Sequence, residues 1–466
     1  MFLKLHNINK LFLKGAQAFA RAERQGVHID IEFCERQIKL TKKKIKHHQK
    51  KLQKTELIHT WRKRYGSKMN IDSNVQMANI LYCDMGIEPL KKTSSGRGST
   101  DEATLSKIKI DGIEDILTIR KLKKAKSTYL DNYMRIHVNG IIHPSLCLHT
   151  AITGRSSCQS PNLQNVPARN KSIMNMVRGA IIPRIGRQLL EVDFSSLEVM
   201  IAACYHKDPT MLKYLNNPKS DMHGDMAQQI FQIKNFNKKL ESHSTLRKAA
   251  KNAFVFPQFY GDYYGNNAIG LCEWVKLPQR EWSENDGMLI DIDGEMIHIG
   301  EHLINQGIKS FDGFLNQLKR IEEHFWNKRF PKYKKWREDW WANYQKTGEF
   351  SMFTGFRCKG IMGKNDAVNY PVQGAAFHCL LWSFIRMDQI IIEKGWDTKL
   401  ILQIHDSMLF DTNPKELDEV VQTIYDVTCK QLPKAWKWIT VPLDVEAEVC
   451  EVNDPWSKKK EYRRVV

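Results

Sequence analysis

The stretch ILQIHDSMLFD at 401–411 sets the hardest condition on the fold. Ile401, Leu402, Ile404, Met408, Leu409 and Phe410 belong out of water, yet His405, Asp406 and Ser407 interrupt them. A carboxylate carried into such a setting is costly unless it is paired, hydrogen-bonded or bound to a cation. Taken alone, the interruption reads as a tight turn, because Asp and Ser are ordinary turn residues. The chain sets the same condition again in QLLEVDFSSLEVMIAACY (188–205), where an apolar strand runs into a helix with Asp193 at the junction. Only the fold can bring two acids so remote in sequence together, and side by side they repel unless a cation lies between them. Such a pair in a basic protein points to phosphoryl transfer, in which two metals about 3.5–4 Å apart stabilise the attacking and leaving oxygens. Oxygen ligands favour Mg²⁺.

The protein is strongly basic: 71 Lys and Arg against 52 Asp and Glu give a net charge of +19. Such a balance implies a polyanionic partner, most often nucleic acid. The basic residues cluster in TKKKIKHHQKKLQK (41–54), RKLKKAK (120–126), NKRFPKYKKWR (327–337) and SKKKEYRR (457–464). The first and third interleave with apolar residues at helical spacing, and the last reads as a solvated end. With 466 residues the chain is long enough for about three lobes. Its ten cysteines are scattered without a CxxC pair, which suits reduced thiols in an intracellular protein. No stretch reads as a membrane span of ~20 apolar residues. The start, MFLKLHNINKLFLKGAQAFARA, is basic and free of acids like a transit peptide, but it continues into ERQGVHIDIEF, which reads as folded domain.

The front half reads as helical. Residues 33–65 hold one charged helical period with no Gly or Pro before Gly66, Ser73 reads as an N-cap, and another basic helix covers about 113–138. Basic and aromatic-rich helices follow over 242–256 and 312–346, and strand patterns return from about 398. Helices first and mixed elements later indicate α+β lobes rather than one doubly wound sheet.

Two further stretches carry candidate chemistry. In STLRKAAKNAFVFPQFYGDYYG (244–265), Arg247 and Lys251 are four apart, on one helical face. They suit a triphosphate, Arg binding bidentately and Lys as a point charge. Phe254, Phe256, Phe259 and Tyr260 follow and could stack on a base. The plainer reading is a solvated basic face over an aromatic core. TGRSSCQSPNLQNVPARN (153–170), with Arg155 and Arg169, is either a polar surface loop or a reader of phosphates, sugars and minor-groove edges.

In order and approximate spacing, TGRSSCQSPNLQNVP, VDFSSLEVMIAA, DMHGDMAQQIF, RKAAKNAFVFPQFYG, NYPVQGAAFHCLL and LQIHDSMLFD resemble the family A DNA polymerases, the polymerase I relatives. GVHID, MNIDSNVQMANILY, KKTSSGRGSTDEATL and RKLKKAKSTYLDNY resemble that family's thumb, so the likeness runs from about residue 15 to 455. The wording of KNAFVFPQFYGDYYG and the long segment 275–320 look more like phage-type members.

The resemblance implies an α+β right-hand polymerase whose palm is built on an antiparallel sheet. Residues 1–32 would pack on the palm, 33–128 form the thumb, 129–222 and 370–466 the palm, and 223–369 the fingers. It makes Asp193 and Asp406, with the Phe194 backbone carbonyl, the ligands of two Mg²⁺ ions, with Mn²⁺ able to substitute. Arg247, Lys251 and His223 would meet the triphosphate. Glu198 would sit under the sugar and exclude a ribose 2′-hydroxyl, with Ser195 and Ser196 beside the nucleotide and Phe256 and Tyr260 framing the base pair. Arg155, Asn162, Gln164, Asn369, Gln373 and His405 would touch primer-template DNA. The activity implied is dNTP addition to a primer 3′-hydroxyl by a monomer in the cytoplasm of a bacterial or phage-infected cell. No exonuclease is expected from this chain, and proofreading or accessory functions would come from separate proteins. A single-subunit RNA polymerase and a catalytically idle DNA binder are the competing readings.

Three departures stand out. Ser407 replaces the Glu that usually follows His-Asp in the family, and Ser196 stands where the family often has Gln. The family's Lys and stacking aromatic are four apart, which selects Val255; Phe256 is five from Lys251, and Pro257 is expected to interrupt the helix. A local bulge would restore Phe256 to the face of Lys251.

Overall fold

A computed structural model describes residues 8–93, 95–167 and 170–462; Arg169 of the polar loop lies outside the described residues. The fold is α+β and is organised around a five-stranded antiparallel sheet. Its strands are β1 (Gln188–Phe194), β2 (Lys399–Ile404), β3 (Ser407–Thr412), β4 (Val445–Val449) and β5 (Lys460–Glu461), in the order β2-β3-β1-β4-β5. In β1 every residue is buried except Asp193, and in β3 every residue is buried, so both strands are covered on both faces even where Gln188, Glu191, Ser407, Asp411 and Thr412 are polar.

Seven helices matter for the site: α1 (Ile8–Gln25), α2 (Ile31–Leu52), α3 (Leu197–His206), α4 (Met222–Phe231), α5 (Glu241–Ala250), α6 (Pro331–Thr347) and α7 (Lys364–Lys394). Helix α7 runs through the main core, with α1 laid along it and against β2. Phe19 of α1 meets Phe384 of α7 edge-on at 5.0 Å, and Arg21 Nε donates to both oxygens of the buried Asp388 at 2.9 and 3.0 Å.

The expectation that no segment matches a membrane span is corrected by α7. By length and composition it is apolar enough to cross a bilayer, with a mean hydropathy of 1.3 over its best window. That window is 83% buried inside the protein, so its apolar surface is spent on the core.

The single helix expected over 33–65 is two helices. Helix α2 stops at Leu52, and Glu56–Tyr65 starts afresh behind Thr55, whose hydroxyl accepts from the Ile58 amide at 3.4 Å. Ser73 is an N-cap as expected, accepting from Gln76 N at 3.3 Å. A second core, separate from the main one, gathers Leu57, Trp61, Leu81, Ile113, Ile116 and their neighbours between residues 52 and 119.

Candidate active site

Strands β1 and β3 pair so that Ser407 lies opposite Asp193, and the Phe194 amide donates to the Asp406 carbonyl at 3.2 Å. Asp406 sits in the two-residue turn that joins β2 to β3, where Ile404 pairs with Ser407. Two-residue hairpin turns call for positive φ, and His405 adopts it at +49°. The fold thus brings the two remote aspartates to neighbouring strands at one end of the sheet.

Both carboxylates are electrostatically burdened. Burial, then the charges of Asp406, Glu191 and Glu446, push Asp193 up to about 7. Its side chain still opens on the cleft, so crowding by the surrounding walls rather than full enclosure strips its hydration. Burial and the charge of Glu198 push Asp406 up to about 6, against the pull of Arg155. Asp406 Oδ1 is shielded from solvent without a hydrogen bond, and its nearest cation is Arg155 Nη2 at 3.9 Å. An unmet carboxylate oxygen beside a second, repelling carboxylate fits a hard divalent cation. Among the described residues no third His, Cys, Asp or Glu completes an all-protein metal cage.

The aspartates open on a cleft of about 340 Å³ that also gathers Phe194, Ser196, Glu198, Lys251, Phe256, Tyr260, Asn369 and Gln373. Asn369 and Gln373 project from one face of α7, four residues apart. Ser196, with φ +55°, turns the chain from β1 into α3 and sets Glu198 in its first turn. Glu198 is held from two sides, by Arg155 Nη1 at 3.1 Å and by the Tyr260 hydroxyl. Burial, then that carboxylate, raises the Tyr260 phenol well above its usual range. Asn369 Nδ2 donates to the Tyr260 carbonyl at 3.1 Å, joining α7 to the opposite wall.

That wall answers the register question. Beyond α5 the chain continues as a π-helical turn, Lys251–Val255, and then as a helix from Phe256 to Tyr260. The extra residue in the wide turn puts Val255 in the core and Phe256 in the cleft, with Lys251 Nζ 5.1 Å from the Phe256 ring centre. Pro257 does not interrupt the helix. It occupies the first turn after the wide turn, where a missing amide hydrogen is tolerated.

Several candidates lie outside the cleft lining. Arg247 is engaged by Asp221, its Nε 2.7 and 2.9 Å from the two carboxylate oxygens, while Asp221 caps α4 through Gly224 N at 3.0 Å. His223, in the first turn of α4, stands edge-on to Phe256 at 5.6 Å. Burial, reinforced by Lys251 and Arg247, lowers it to about 4, so its imidazole is neutral. Ser195 turns to β4 and donates to Glu446 Oε1 at 3.2 Å. Asn162 Oδ1 accepts from Asn165 N at 3.2 Å, a local turn contact. Gln164 Nε2 donates to Gln403 Oε1 at 2.7 Å, and Gln403 Nε2 donates to the His405 carbonyl at 2.6 Å. The polar loop is thereby bolted to the hairpin. Gly374 lets it approach α7, since a Cβ there would meet the Thr153 carbonyl at 2.4 Å.

Sequence reasoning missed Asp221, Gln403, Tyr333 and Glu191. The Asp221 cap was readable from its position before an amphipathic helix. Tyr333, a buried wall of the cleft stacked on His206 at 4.0 Å, reads in sequence as one more aromatic of a basic helix.

The model of DNA polymerase family A matches residues 36–285 and 318–456. DNA polymerase I of Pseudomonas aeruginosa is 27% identical over 390 residues, covering 82% of this chain and 38% of that protein. DNA polymerase I of Aquifex aeolicus is 27% identical over 451 residues, covering 94% and 65%, and the DNA polymerase of Bacillus phage SP01 is 24% identical over 382, covering 77% and 37%. This chain therefore spans roughly a third to two thirds of the length of these relatives. Among solved structures, the POL domain of Pol1 from M. smegmatis, in complex with DNA primer-template and dNTP, has a TM-score of 0.72 at 22% identity, over 96% of this chain and 70% of that one. Its fold is the fold described above. The chain belongs to DNA polymerase family A.

Proposed function

We propose that this chain is a template-directed DNA polymerase that adds dNTPs to a primer 3′-hydroxyl. The observation that carries the reading is the meeting of Asp193 and Asp406 at the base of a cleft whose facing wall presents Lys251, Phe256 and Tyr260. Those two carboxylates, with the Phe194 carbonyl, would hold two Mg²⁺ ions, or Mn²⁺ in their place. When bound there, the ions would supply the charge that activates the primer hydroxyl and offsets charge on the leaving pyrophosphate. The rest falls to the side chains. Lys251 meets the triphosphate as a point charge, and neutral His223 donates a hydrogen bond to it without adding charge. Arg247 reaches it after exchanging Asp221 for phosphate, or else acts by fixing α5 against α4. Phe256 stacks on the incoming base. Glu198, clamped by Arg155 and Tyr260, fills the space a ribose 2′-hydroxyl needs, and Ser195 and Ser196 shape the turn beneath it. Arg155, Asn369, Gln373 and His405 face the primer-template, with Asn162 and Gln164 supporting the loop.

In this reading residues 33–128 are the thumb, 223–369 the fingers, and 129–222 with 370–466 the palm, 1–32 packing on the palm. The partners are primer-template DNA and dNTPs, as in the M. smegmatis complex. A primed template with Mg²⁺ and either dNTPs or rNTPs tests the proposal. Extension with dNTPs at least a hundredfold above rNTPs is expected. Preference for rNTPs would favour an RNA polymerase, and tight binding without extension an idle binder.

A further inference from the structure

Ser407 stands where the resemblance supplies a glutamate, and its neighbours point to what replaces that carboxylate. Its side chain is buried at 3% exposure, and its one hydroxyl proton is shared between the Ile404 carbonyl at 3.0 Å and Glu191 Oε1 at 3.2 Å. Glu191 lies two residues before Asp193 on β1, hence on the same face of the sheet. It is buried at 9% exposure, and its other oxygen accepts from the Trp456 indole at 2.8 Å and the Lys459 ammonium at 2.6 Å. Arg178 adds a guanidinium 4.0 Å away and stacks on Trp456. A buried carboxylate needs such partners. Burial opposes the charge on Lys459, but Glu191 and Glu448 hold its pKa above the usual lysine range. Lys459 lies beyond residue 456, where the match to the family model ends.

We propose that Glu191 is a positioning residue for the Asp193–Asp406 pair, clamped from below by Trp456 and Lys459 and acting on the hairpin through Ser407. Ser407 is the cross-strand partner of Asp193 and the next residue after Asp406. One clasp between Glu191 and Ser407 therefore fixes both carboxylates relative to each other. The carboxylate missing from the hairpin is supplied from the neighbouring strand, on the face of Asp193 but outside the cleft lining, and is paired with Lys459. Losing a partner hydrogen-bonded directly to a metal ligand costs about 10–100-fold in metal affinity, and a clasp acting one step further out falls at the lower end of that range.

This inference rests on the polymerase reading, and its test separates the two. Mn²⁺ binding to the full chain with primer-template is measured by electron paramagnetic resonance, alongside primer extension and thermal unfolding. E191Q and K459M should each weaken Mn²⁺ binding by about tenfold. S407A, which cuts only the clasp, should weaken it several-fold with an unchanged melting temperature, and decides the matter if E191Q fails to fold. S407E alone should be destabilised by two facing carboxylates, and S407E/E191S should regain wild-type Mn²⁺ binding within about threefold, since it keeps a single supporting charge. If wild type binds Mn²⁺ and extends primers while folded S407A and E191Q match it, the positioning role is overturned and the polymerase reading stands. Losses that merely track unfolding also overturn it. If wild type does neither, both readings fall.

Discussion

At Asp406 a single carboxylate carries an unmet oxygen, a repelling neighbour and one distant arginine. In the proposed reading, replacing it with alanine removes metal-borne charge stabilisation worth several kcal/mol and should abolish primer extension, by at least about a thousandfold. Primer-template affinity, measured by fluorescence anisotropy, should stay within a few-fold, since the proposed DNA contacts lie on other residues. Lys251→Ala should raise the KM for dNTP by tenfold or more, losing one charge-assisted contact worth about 1.5–3 kcal/mol, and leave the Kd for DNA nearly unchanged. The aspartate pair also predicts a pH dependence of stability without divalent ions. Both folded-state pKa values are raised, to about 7 and about 6. Their contribution is therefore fully present below the ordinary carboxylate range and lost as pH rises through 6 and 7. In chelator, D406N should melt a few degrees above wild type at pH 8, and the gap should close towards pH 4.

At the scale of the element, the π-helical turn Lys251–Val255 holds one residue more than an α-helical turn. Deleting the exposed Asn252 should let the segment close into a regular helix with Phe256 four residues from Lys251, again on its face. Extension should survive that deletion within about tenfold. Deleting Asn252 and Ala253 together swings Phe256 by roughly 100° about the helix axis and should abolish it. Sequence reasoning reached the need for this bulge because a spacing of five conflicts with a helical face, but the wide turn's bounds depend on what packs around it. The same limit explains other elements. Thr55 starts a new helix without any Gly or Pro to announce it. The hairpin Leu289–Ile292 with Glu295–His298 was missed although its Asp293–Gly294 turn is a readable signal. The two aspartates were legible because a lone acid in an apolar strand breaks its pattern. Glu191 breaks the same pattern, and was passed over because its partners come from Trp456 and Lys459, a contact only the folded chain makes.

Across the whole molecule, charge and shape divide the work. The exposed Lys46 and Lys50 of α2 line a shallow groove over the second core, away from the aspartates. If the duplex lies there, log Kd should vary linearly with log salt, and changing both lysines to glutamine should reduce the slope by about two while leaving single-nucleotide kinetics intact. A net charge of +19 made a polyanionic partner legible from composition, whereas which lysines face it could be read only once the helices were placed. The strand order β2-β3-β1-β4-β5 has a consequence of its own. Strand β1 waits between two partners that are both made more than two hundred residues later. A nascent chain that has not yet made them holds the first aspartate on an unmatched, aggregation-prone ribbon, and a product terminated before the β2–β3 turn lacks Asp406 and should not assemble the aspartate pair. Two co-expressed fragments, cut in a loop between β1 and β2, should for the same reason be able to zip together and recover what neither half can do.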